Sequence, residues 1–329
     1  MAIKIGVNGF GRIGRYLTRL LADDKDIEIA VINARASNAD LARLLKYDSV
    51  HRTFHGEVGT WEDGITVCGK KILVTRCNSG EWKWGELGID YVAETTGKFT
   101  ERDKAAHHLA CGAKKVLISA PAKNPDCTVV MGVNEHIYDP AAHAIVSSAS
   151  CTTNCLAPVV KVINDAYGIK HGLMTTIHAY TMSQRILDGS HKDPRRARAA
   201  CVSMIPTTTG AARATTMVLP ELAGKLDGYS IRVPTPDGSI VDFTCEVSKA
   251  VTRDEVNALL KAKASDAMGY TDEPLVSVDY LGDTHGGVVD GPLTAVMDQT
   301  MVKVVIWYDN EAGFTNQFVR LIKLVVSKG

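Results

Sequence analysis

A glycine turn between an apolar run and a helical stretch constrains the fold of this chain more than any other feature. Residues 3–8, IKIGVN, form a short apolar run that is typical of a buried parallel strand. Residues 15–22 then carry apolar positions at helical spacing, and a second apolar run covers 27–33. The turn itself consists of Gly9, Phe10, Gly11, Arg12, Ile13 and Gly14. This strand–turn–helix–strand unit predicts an α/β domain.

The rest of the N-terminal half continues the alternation of strands and helices. Strand-like runs follow at 71–75, 89–97, 114–121 and 144–150, and a helical stretch lies at 101–111. Alternation of this kind predicts a Rossmann-type, doubly wound parallel sheet.

The glycine turn has the pattern of a dinucleotide site. Gly9 permits the tight turn, Gly11 lets the backbone approach a pyrophosphate, and Gly14 lets the helix pack on the strand. The helix N-terminus adds free N–H groups and positive dipole for the phosphates. Because ligands of such sheets lie at the carboxyl ends of the strands, the residues that end later strands are further candidates. They are Thr96, Gly97 and Ser119.

The end of the second strand bears on the choice of cofactor. NAD sites usually place an Asp or Glu there for the ribose 2′-hydroxyl, whereas this chain reads Asn33-Ala34-Arg35. Ala34 brings no charge that would repel a 2′-phosphate, and Arg35 can pair with one. We therefore expect NADP to be used at least as well as NAD. The alternative is that Arg35 lies in solvent and backbone groups hold the ribose.

A cysteine and a histidine in the middle of the chain suggest nucleophilic chemistry. Cys151 begins SCTTNC at the predicted start of a helix, where N–H groups and the helix dipole lower a thiol pKa. His178 closes the strand-like run LMTTIH and can serve as the base for that thiol. Taken singly, a buried cysteine is more often inert packing and a lone histidine more often structural.

Composition excludes several function classes. The 329 residues suffice for two domains, and 37 basic residues balance 37 acidic ones, so nothing favours nucleic acid or a membrane surface as a partner. The eight cysteines lack the spacing of a metal site, so we predict no metal. Free thiols and the absence of a signal-like start favour the cytoplasm.

Many stretches together resemble phosphorylating glyceraldehyde-3-phosphate dehydrogenases over essentially the whole chain. They include GVNGFGRIGR, AETTGKF, SASCTTNCLAPVVKVI, TTIHAYT, HKDPRRARAA, IPTTTGAA, IRVPTP and WYDNE. The resemblance implies a dinucleotide-binding domain over 1–150, completed by a C-terminal helix at 313–329. It implies an α+β catalytic domain with a mixed or antiparallel sheet over 151–312, and a cytoplasmic homotetramer.

The resemblance also implies the reaction and its site. Cys151 attacks the aldehyde of glyceraldehyde 3-phosphate, His178 takes the proton, and hydride transfer leaves a thioester that inorganic phosphate cleaves to 1,3-bisphosphoglycerate. Thr181 and Arg232 resemble the pocket for the substrate's own phosphate, and Asn310 resembles the residue that orients the nicotinamide. The residues that resemble the pocket for inorganic phosphate are Ser150, Thr152, Arg196, Thr209 and Gly210.

Two alternative functions are compatible with the sequence. An erythrose-4-phosphate dehydrogenase would use the same thiol with water as acyl acceptor. A non-catalytic relative would use the thiol as a redox sensor.

One departure from the family sequence predicts a structural feature. Where the family often has VPTPNVSVVD, this chain has VPTPDGSIVD, and Asp237-Gly238 predicts a tight hairpin between its flanking apolar runs.

Overall fold

The computed structural model describes residues 2–329 and divides into two compact units. The first unit holds the chain up to Val129, together with Glu135–Ala149 and Phe318–Gly329. The second holds Val130–Asn134 and Ser150–Gln317. The predicted boundaries differ at 130–134, at Ser150 and at 313–317, which they assign to the other unit.

The first unit contains eleven strands and three α-helices among the described residues. The strands are β1 (Ile3–Asn8), β2 (Ile27–Asn33), β3 (Tyr47–Asp48), β4 (Arg52–Thr53), β5 (Val58–Trp61), β6 (Gly64–Val67), β7 (Lys70–Thr75), β8 (Tyr91–Glu94), β9 (Lys115–Ile118), β10 (Cys127–Thr128) and β11 (Ile145–Ser147). The helices are α1 (Arg12–Leu20), α2 (Asn38–Lys46) and α3 (Arg102–Ala110), with a 3-10 turn at Glu135–Ile137.

Nine of these strands form one sheet in the order β10-β11-β9-β8-β1-β2-β7-β6-β5, while β3 and β4 pair separately. The strands from β10 to β7 are parallel, and β6 and β5 extend that edge antiparallel. The predicted doubly wound parallel sheet is confirmed. From β1 the chain crosses to β2 on one side and later to β8 on the other, so the sheet has its switch point between β1 and β8. Ligands of such sheets bind at that point, beyond the carboxyl ends of the strands.

The second unit is an α+β structure. Its strands are β12 (Ile169–Ala179), β13 (Ile205–Thr208), β14 (Leu226–Val233), β15 (Ser239–Val247), β16 (Met268–Thr271), β17 (Gly287–Asp290), β18 (Ala295–Met297) and β19 (Met301–Tyr308). Its α-helices are α4 (Cys151–Tyr167), α5 (Ala211–Val218) and α6 (Arg253–Ala262). Short 3-10 turns lie at Ala200–Val202, Pro220–Leu222, Ser277–Tyr280 and Gly291–Leu293, and the chain ends in α7 (Ala312–Lys328).

These strands form a mixed sheet in the order β13-β14-β12-β15-β19-β17-β16, with β18 added on β19. The predicted hairpin at Asp237-Gly238 is wrong, because β14 and β15 lie on opposite sides of β12. Gly238 does turn with φ +82°, but the turn leads the chain past the end of β12. The Asp237-Gly238 pair does form a turn, as its residue types predict. The pairing of β12 with both β14 and β15 is a long-range contact that a local turn motif does not indicate.

The strand β12 places the site. It pairs with β14 in parallel and with β15 antiparallel, and its register sets His178 directly beside Arg232. Buried and more exposed positions alternate along β15 and over most of β12, as one covered face requires. No helix within residues 2–329 combines the length and apolar character that crossing a lipid bilayer requires.

Candidate active site

The nucleophile candidate opens helix α4. Ser150 is the N-cap residue, and its hydroxyl accepts a hydrogen bond from the Thr153 N–H at 3.0 Å. Ala149, immediately before the cap, is fully buried and has φ +59°, a region that non-glycine residues seldom adopt. This tight entry leaves Cys151 at the first helical position, as predicted.

The structure brings Cys151 and His178 together. The Cys151 Sγ lies 3.4 Å from the His178 Nε2, and the backbone N–H of Thr152 also points at the sulfur. His178 is the penultimate residue of β12, and its side chain is buried. The two side chains are thus in hydrogen-bond contact although 27 residues separate them in sequence.

Arg232 contacts the other side of the imidazole. Its Nη1 donates to His178 Nδ1 at 2.8 Å and to the Ala179 carbonyl oxygen at 3.0 Å. The same Nδ1 lies 2.7 Å from that carbonyl oxygen. The pairing of β12 with β14 explains the contact, since His178 and Arg232 are register partners.

Burial governs the charge of the pair. Burial raises the pKa of the Cys151 thiol, although the Arg232 charge and the Thr152 hydroxyl and N–H act in the opposite direction. The expectation of a lowered thiol pKa is therefore wrong, because desolvation outweighs the helix N-terminus. Burial, assisted by Arg232, lowers the pKa of His178 to about 3. Burial thus favours the neutral form of both the thiol and the imidazole.

Tyr308 was missed by the sequence analysis and lies under the same site. Its hydroxyl lies 3.0 Å from the Thr152 Oγ1 and 2.8 Å from the Thr176 Oγ1, and its ring meets the His178 ring edge-on. The side chain is almost wholly buried, and burial raises its pKa well above the usual value. A neutral tyrosine therefore links α4 to β12 and supports the imidazole. Its position two residues before Asn310 in WYDNE was the available signal.

Asn310 is fixed by Ser239. The Ser239 hydroxyl donates to Asn310 Oδ1 at 2.6 Å and accepts from the Ala179 N–H at 3.1 Å. This ties Asn310 to the end of β12, one residue from His178. Nearby, burial and the neighbouring Asp309 raise the pKa of Asp237 to about 9. Asp237 is thus a protonated acid beside an acceptor carboxylate.

Four of the five residues predicted to bind inorganic phosphate fall into two groups. Ser150 and Thr152 lie at the Cys151 end of α4, where their hydroxyls contact Thr153 and Tyr308 respectively. Thr209 and Gly210 lie at the start of α5, where Thr209 Oγ1 accepts from the Ala211 N–H at 3.2 Å. No atom lies within 4 Å of a Cβ built on Gly210, so this turn is open.

The fifth, Arg196, lies in the segment after β12, together with Thr181, which was predicted to bind the phosphate of the substrate. Thr181 is exposed, and its hydroxyl lies 2.9 Å from the Ser183 Oγ. Arg196 donates to Thr207 Oγ1 at 2.9 Å, and Arg196 and Asp193 lie 3.5 Å apart as an ion pair. Arg196 is therefore already anchored by neighbours, whereas Arg232 reaches the imidazole.

In the first unit, the glycine turn fits a dinucleotide. A Cβ on Gly14 would lie 2.4 Å from the Gly9 carbonyl oxygen, so helix and turn approach too closely for a side chain there. A Cβ on Gly11 would meet nothing within 4 Å, and no side chain caps the N-terminus of α1. Bare backbone therefore faces open space at a helix N-terminus, which is what a pyrophosphate requires.

The other residues of the turn are held by their neighbours. Phe10 is buried, and its carbonyl oxygen accepts from Arg15 at 3.0 Å. Arg12 makes a bidentate ion pair with Asp48, which holds the pKa of that carboxyl well below its usual range. Ile13 is half-buried.

The carboxyl ends of neighbouring strands carry a buried polar network. Glu94 ends β8, and its carboxylate accepts from Asn8 Nδ2 at 2.6 Å, from the Thr96 N–H at 2.7 Å and from the Thr96 hydroxyl. It also lies 3.2 Å from His108 Nε2. Trp84 Nε1 donates to His108 Nδ1 at 3.0 Å, and an indole cannot accept, so the ring proton is on Nε2 and faces Glu94.

Asn33, predicted to bind the cofactor, is hydrogen-bonded into the polar network formed by Glu94 and Asn8. Its amide donates to Asn8 Oδ1 at 2.8 Å and accepts from Thr75 Oγ1 at 3.0 Å and from the Cys77 N–H at 2.9 Å. Ser119 follows β9, where its N–H donates to the Glu94 carbonyl oxygen at 3.0 Å. Gly97 has φ +69° and nothing within 4 Å of an added Cβ, so the turn after β8 is open.

The end of β2 presents two arginines. Arg35 is exposed and donates to Asn78 Oδ1 at 2.7 Å, while Ala34 is buried. Arg76, which the sequence analysis missed, donates to the Ala36 carbonyl oxygen at 2.9 Å and to Asn38 Oδ1 at 2.7 Å. Its place one residue after β7 was the signal, since β7 pairs with β2.

Comparison with known proteins gives matches to both halves of the chain. The family model described as the glyceraldehyde 3-phosphate dehydrogenase NAD binding domain matches residues 3–102, and that of the C-terminal domain matches residues 150–310. A glyceraldehyde-3-phosphate dehydrogenase of Geobacillus stearothermophilus is 54% identical over 100% of both chains. Glyceraldehyde-3-phosphate dehydrogenase 1 of Bacillus subtilis is 51% identical, also over 100% of both chains. Glyceraldehyde-3-phosphate dehydrogenase 2 of Streptomyces avermitilis is 53% identical over 99% of each.

The resemblance found in the sequence motifs is therefore confirmed. With two family models that together span more than half of the residues, and relatives above half identity along the full length, this chain belongs to the glyceraldehyde-3-phosphate dehydrogenase family.

Proposed function

We propose that this protein oxidises glyceraldehyde 3-phosphate with phosphorylation, through a thioester on Cys151, to give 1,3-bisphosphoglycerate. Family membership supports the reaction. The observation that carries the proposal is the 3.4 Å contact between Cys151 Sγ and His178 Nε2 at the N-terminus of α4, with a cation on the far side of the ring.

The first step forms a bond between Cys151 Sγ and the aldehyde carbon. The new oxyanion develops near the start of α4, where backbone N–H groups such as that of Thr152 can stabilise it. His178 Nε2, which lies within reach of the sulfur, takes the proton that the thiol loses and gives it to the oxyanion to form the hemithioacetal hydroxyl. It takes that proton back as the hemithioacetal is oxidised. Oxidation then leaves an acyl thioester on the same sulfur.

A bound nicotinamide dinucleotide supplies the hydride acceptor for this step. The Gly9–Gly14 turn and the N-terminus of α1 would hold its pyrophosphate, and the turn after Glu94 would line the same cleft. Asn310, fixed by Ser239, would orient the carboxamide. On this assignment residues 1–150 with the C-terminal helix bind the dinucleotide and residues 151–312 carry the chemistry.

Phosphate then attacks the thioester carbon and the sulfur leaves as thiolate, which regains the proton held by His178. Thr209 and Gly210 supply an open turn with donors for that phosphate, and Arg196 supplies a cation. Thr181 and Arg232 would take the phosphate of the sugar itself.

NADP is proposed as a cofactor at least equal to NAD. The NAD binding domain of the family supports use of a nicotinamide dinucleotide in general. The finer choice rests on Ala34, Arg35 and Arg76, because the end of β2 has no carboxylate and two arginines border the loop that follows it. Both guanidinium groups are exposed and able to meet a 2′-phosphate.

We further propose that the protein is a homotetramer of the cytoplasm. The segment after β12 leaves large apolar side chains in solvent, which is typical of a surface covered by another copy. They are Met182, Ile186, Leu187, Val202 and Met204, all at least 75% exposed. All eight cysteines are free thiols, which suits a reducing compartment.

Steady-state kinetics tests the activity. We expect turnover of glyceraldehyde 3-phosphate that requires inorganic phosphate, with NADP at least comparable to NAD. Faster turnover of erythrose 4-phosphate in phosphate-free buffer would overturn the substrate assignment. No turnover with either aldehyde would favour a redox-sensing relative, and light scattering of the same preparation tests the tetramer.

A further inference from the structure

The carboxylate of Glu94 is a buried anion held by neutral donors. Glu94 is 1% exposed, and its four hydrogen bonds come from Asn8 Nδ2, the N–H and hydroxyl of Thr96, and His108 Nε2. Because Trp84 donates to His108 Nδ1, the imidazole is neutral and presents its Nε2–H to Glu94. Four donors match the four lone-pair positions of an ionised carboxylate, so Glu94 carries its charge here.

The charge of Glu94 sets the direction of a row of hydrogen bonds that crosses the sheet. A carboxylate only accepts, so Asn8 must present its Nδ2 to Glu94 and its Oδ1 to Asn33, which donates to it at 2.8 Å. Asn33 in turn presents its own Oδ1 to Cys77 and Thr75, whose N–H and hydroxyl donate at 2.9 and 3.0 Å. The strands β8, β1, β2 and β7 are neighbours in this order, so these five residues, the strand-end network, join the carboxyl ends of four strands.

The strand-end network holds the backbone that borders the proposed cofactor cleft. Asn8 immediately precedes the glycine turn, and Asn33 ends β2, where the choice between NAD and NADP is proposed to be made. Glu94 itself accepts from the Thr96 N–H in the turn after β8. One buried side chain therefore fixes three backbone segments that a dinucleotide would contact.

We propose that Glu94 is the positioning residue of the cofactor cleft, because its carboxylate orients Asn8 and Asn33 and shapes the turn at Thr96 before a dinucleotide arrives. A bound cofactor would not touch Glu94, whose side chain is buried. Glu94 acts through its neighbours, and it raises the affinity because the cleft already has the geometry that binds. This inference rests on the use of a nicotinamide dinucleotide in the proposed function.

Glu94→Gln keeps the size of the side chain and reverses the direction of the strand-end network. The new amide keeps one oxygen for the turn after β8 and places an NH2 where Asn8 and His108 already donate. Asn8 must then flip its own amide, and Asn33 must follow. The flipped Asn33 sets its NH2 against the Cys77 N–H, so no orientation satisfies every group.

The expected result of Glu94→Gln is a loss of cofactor affinity. The Kd for NAD and for NADP should each rise about tenfold, because only a fraction of the molecules then has the binding geometry. Quenching of the protein fluorescence by each dinucleotide measures Kd without turnover. In turnover, KM for the dinucleotide should rise while kcat at saturation changes less than about threefold. A lower kcat with unchanged Kd would contradict the proposal.

A second substitution should restore binding. In the double variant Asn8→Asp with Glu94→Gln, the new carboxylate accepts from the new amide and from Asn33 Nδ2, so the row regains one direction. Asn8→Asp alone sets two carboxylates in contact and should weaken binding as well. We expect the Kd of the double variant to lie within about threefold of the wild-type value. Losses that simply add would show that each residue acts through stability alone, and the positioning role would be refuted.

Lys115→Met is the matched control for lost stability. Lys115 is a buried charge of the same sheet, and its Nζ donates to the carbonyl oxygens of Pro140 and His143, the latter at 3.0 Å. It begins β9, at the ends of the strands opposite to the cofactor cleft. We expect the free energy of unfolding to drop while Kd for both dinucleotides stays at the wild-type value. An equal rise of Kd in this control would remove the special role of Glu94.

Hydrogen exchange in the wild type tests the proposal even if Glu94→Gln does not fold. The N–H groups of Thr96 and Cys77 donate to Glu94 and to Asn33, respectively. We expect both amides to exchange slowly in the cofactor-free protein, with little further slowing by NADP, because the network is formed before binding. Fast exchange at Thr96 that only NADP suppresses would mean that the cofactor shapes the turn, and the proposal would fail.

Failure of the proposed cofactor use would give a different result. In that case the wild type would quench with neither NAD nor NADP. If the positioning role alone is wrong, the wild type binds a dinucleotide and Glu94→Gln binds it equally well.

Discussion

Two buried histidines, one in each unit, meet opposite environments. His108 is fully buried, and both ring nitrogens have suitable partners, Trp84 as donor and Glu94 as acceptor. His178 is nearly as buried, yet its Nδ1 faces a cation and a carbonyl oxygen at once, and its Nε2 faces a thiol. The two histidines are thus similarly buried, and they differ in the groups that contact their ring nitrogens.

The contrast shows what distinguishes a structural histidine from a reactive one. The first is satisfied in a single tautomer, so any change of its protonation state breaks a hydrogen bond. The second contacts a thiol through Nε2, so a reacting group can exchange a proton with it. Substitutions at the two sites should therefore affect different measurements.

The largest effect is expected from Cys151→Ser. A serine hydroxyl is a far weaker nucleophile at neutral pH, so kcat should fall by about 10⁴-fold, while the affinity for the dinucleotide stays close to that of the wild type. Turnover measured against dinucleotide binding by fluorescence checks this. The exposed Cys201→Ser is the control, and its kcat should not change. Substantial activity in Cys151→Ser would disprove the thioester route.

His178→Asn should lower kcat by about 10²–10⁴-fold, since general base catalysis is lost. Its stability should depend less on pH than that of the wild type. The folded wild type keeps His178 neutral down to about pH 3, whereas the unfolded chain takes up this proton near pH 6.5, so stability falls as the pH drops between the two. Urea unfolding at several pH values measures the difference, which is limited to about 1.4 kcal/mol per pH unit. Equal pH slopes would contradict the neutral imidazole.

His108→Leu should show the reverse pattern. It leaves the Trp84 N–H and one acceptor site of the buried Glu94 carboxylate without partners, at about 1–3 kcal/mol for each unsatisfied group. The free energy of unfolding should drop by that order while kcat at saturation changes less than about threefold, or 0.7 kcal/mol. A stable but inactive His108→Leu protein would remove the distinction between the two histidines.

Asp237→Asn should raise stability at alkaline pH. The folded protein keeps Asp237 protonated up to about pH 9, whereas the unfolded chain loses this proton near pH 3.8, so stability falls as the pH rises through this window. Asparagine can still donate to Asp309 and has no proton to lose. Thermal unfolding between pH 7 and 9 should show a gain that grows with pH. A gain that does not depend on pH would exclude titration of Asp237 as its cause.

Arg35→Asp should act on cofactor choice alone. A carboxylate at the end of β2 repels a 2′-phosphate, so the ratio of kcat/KM for NADP over NAD should fall about tenfold, or 1.4 kcal/mol. The kcat with saturating NAD should be unchanged, because the chemistry belongs to the second unit. A wild-type preference for NAD above tenfold would already refute the assignment. Arg76→Asp is the comparison variant, with an effect of the same sign.

The sequence predicted the local parts of this picture. The runs at 3–8 and 27–33 became β1 and β2 with the predicted bounds, and Cys151 begins α4. These predictions succeeded because apolar periodicity, glycine turns and N-caps act over a few residues.

What the sequence did not predict depends on long-range contacts. The insertion of β12 between β14 and β15 removed the expected hairpin at Asp237-Gly238. The raised thiol pKa arises from burial that no local pattern reports. Tyr308 reaches Thr152 across 156 positions, and Glu94 and His108 look like surface residues until both prove to be fully buried.

The backbone of Ala149 has a consequence for engineering. An alanine at φ +59° costs of order 1–3 kcal/mol, which is more than the roughly 1 kcal/mol of extra chain entropy that glycine brings. Ala149→Gly should therefore raise the thermal stability of the protein, although replacing alanine by glycine usually lowers it. The same variant would make the backbone before α4 more flexible, and this backbone positions the Cys151 sulfur. Thermal stability would therefore rise while turnover falls.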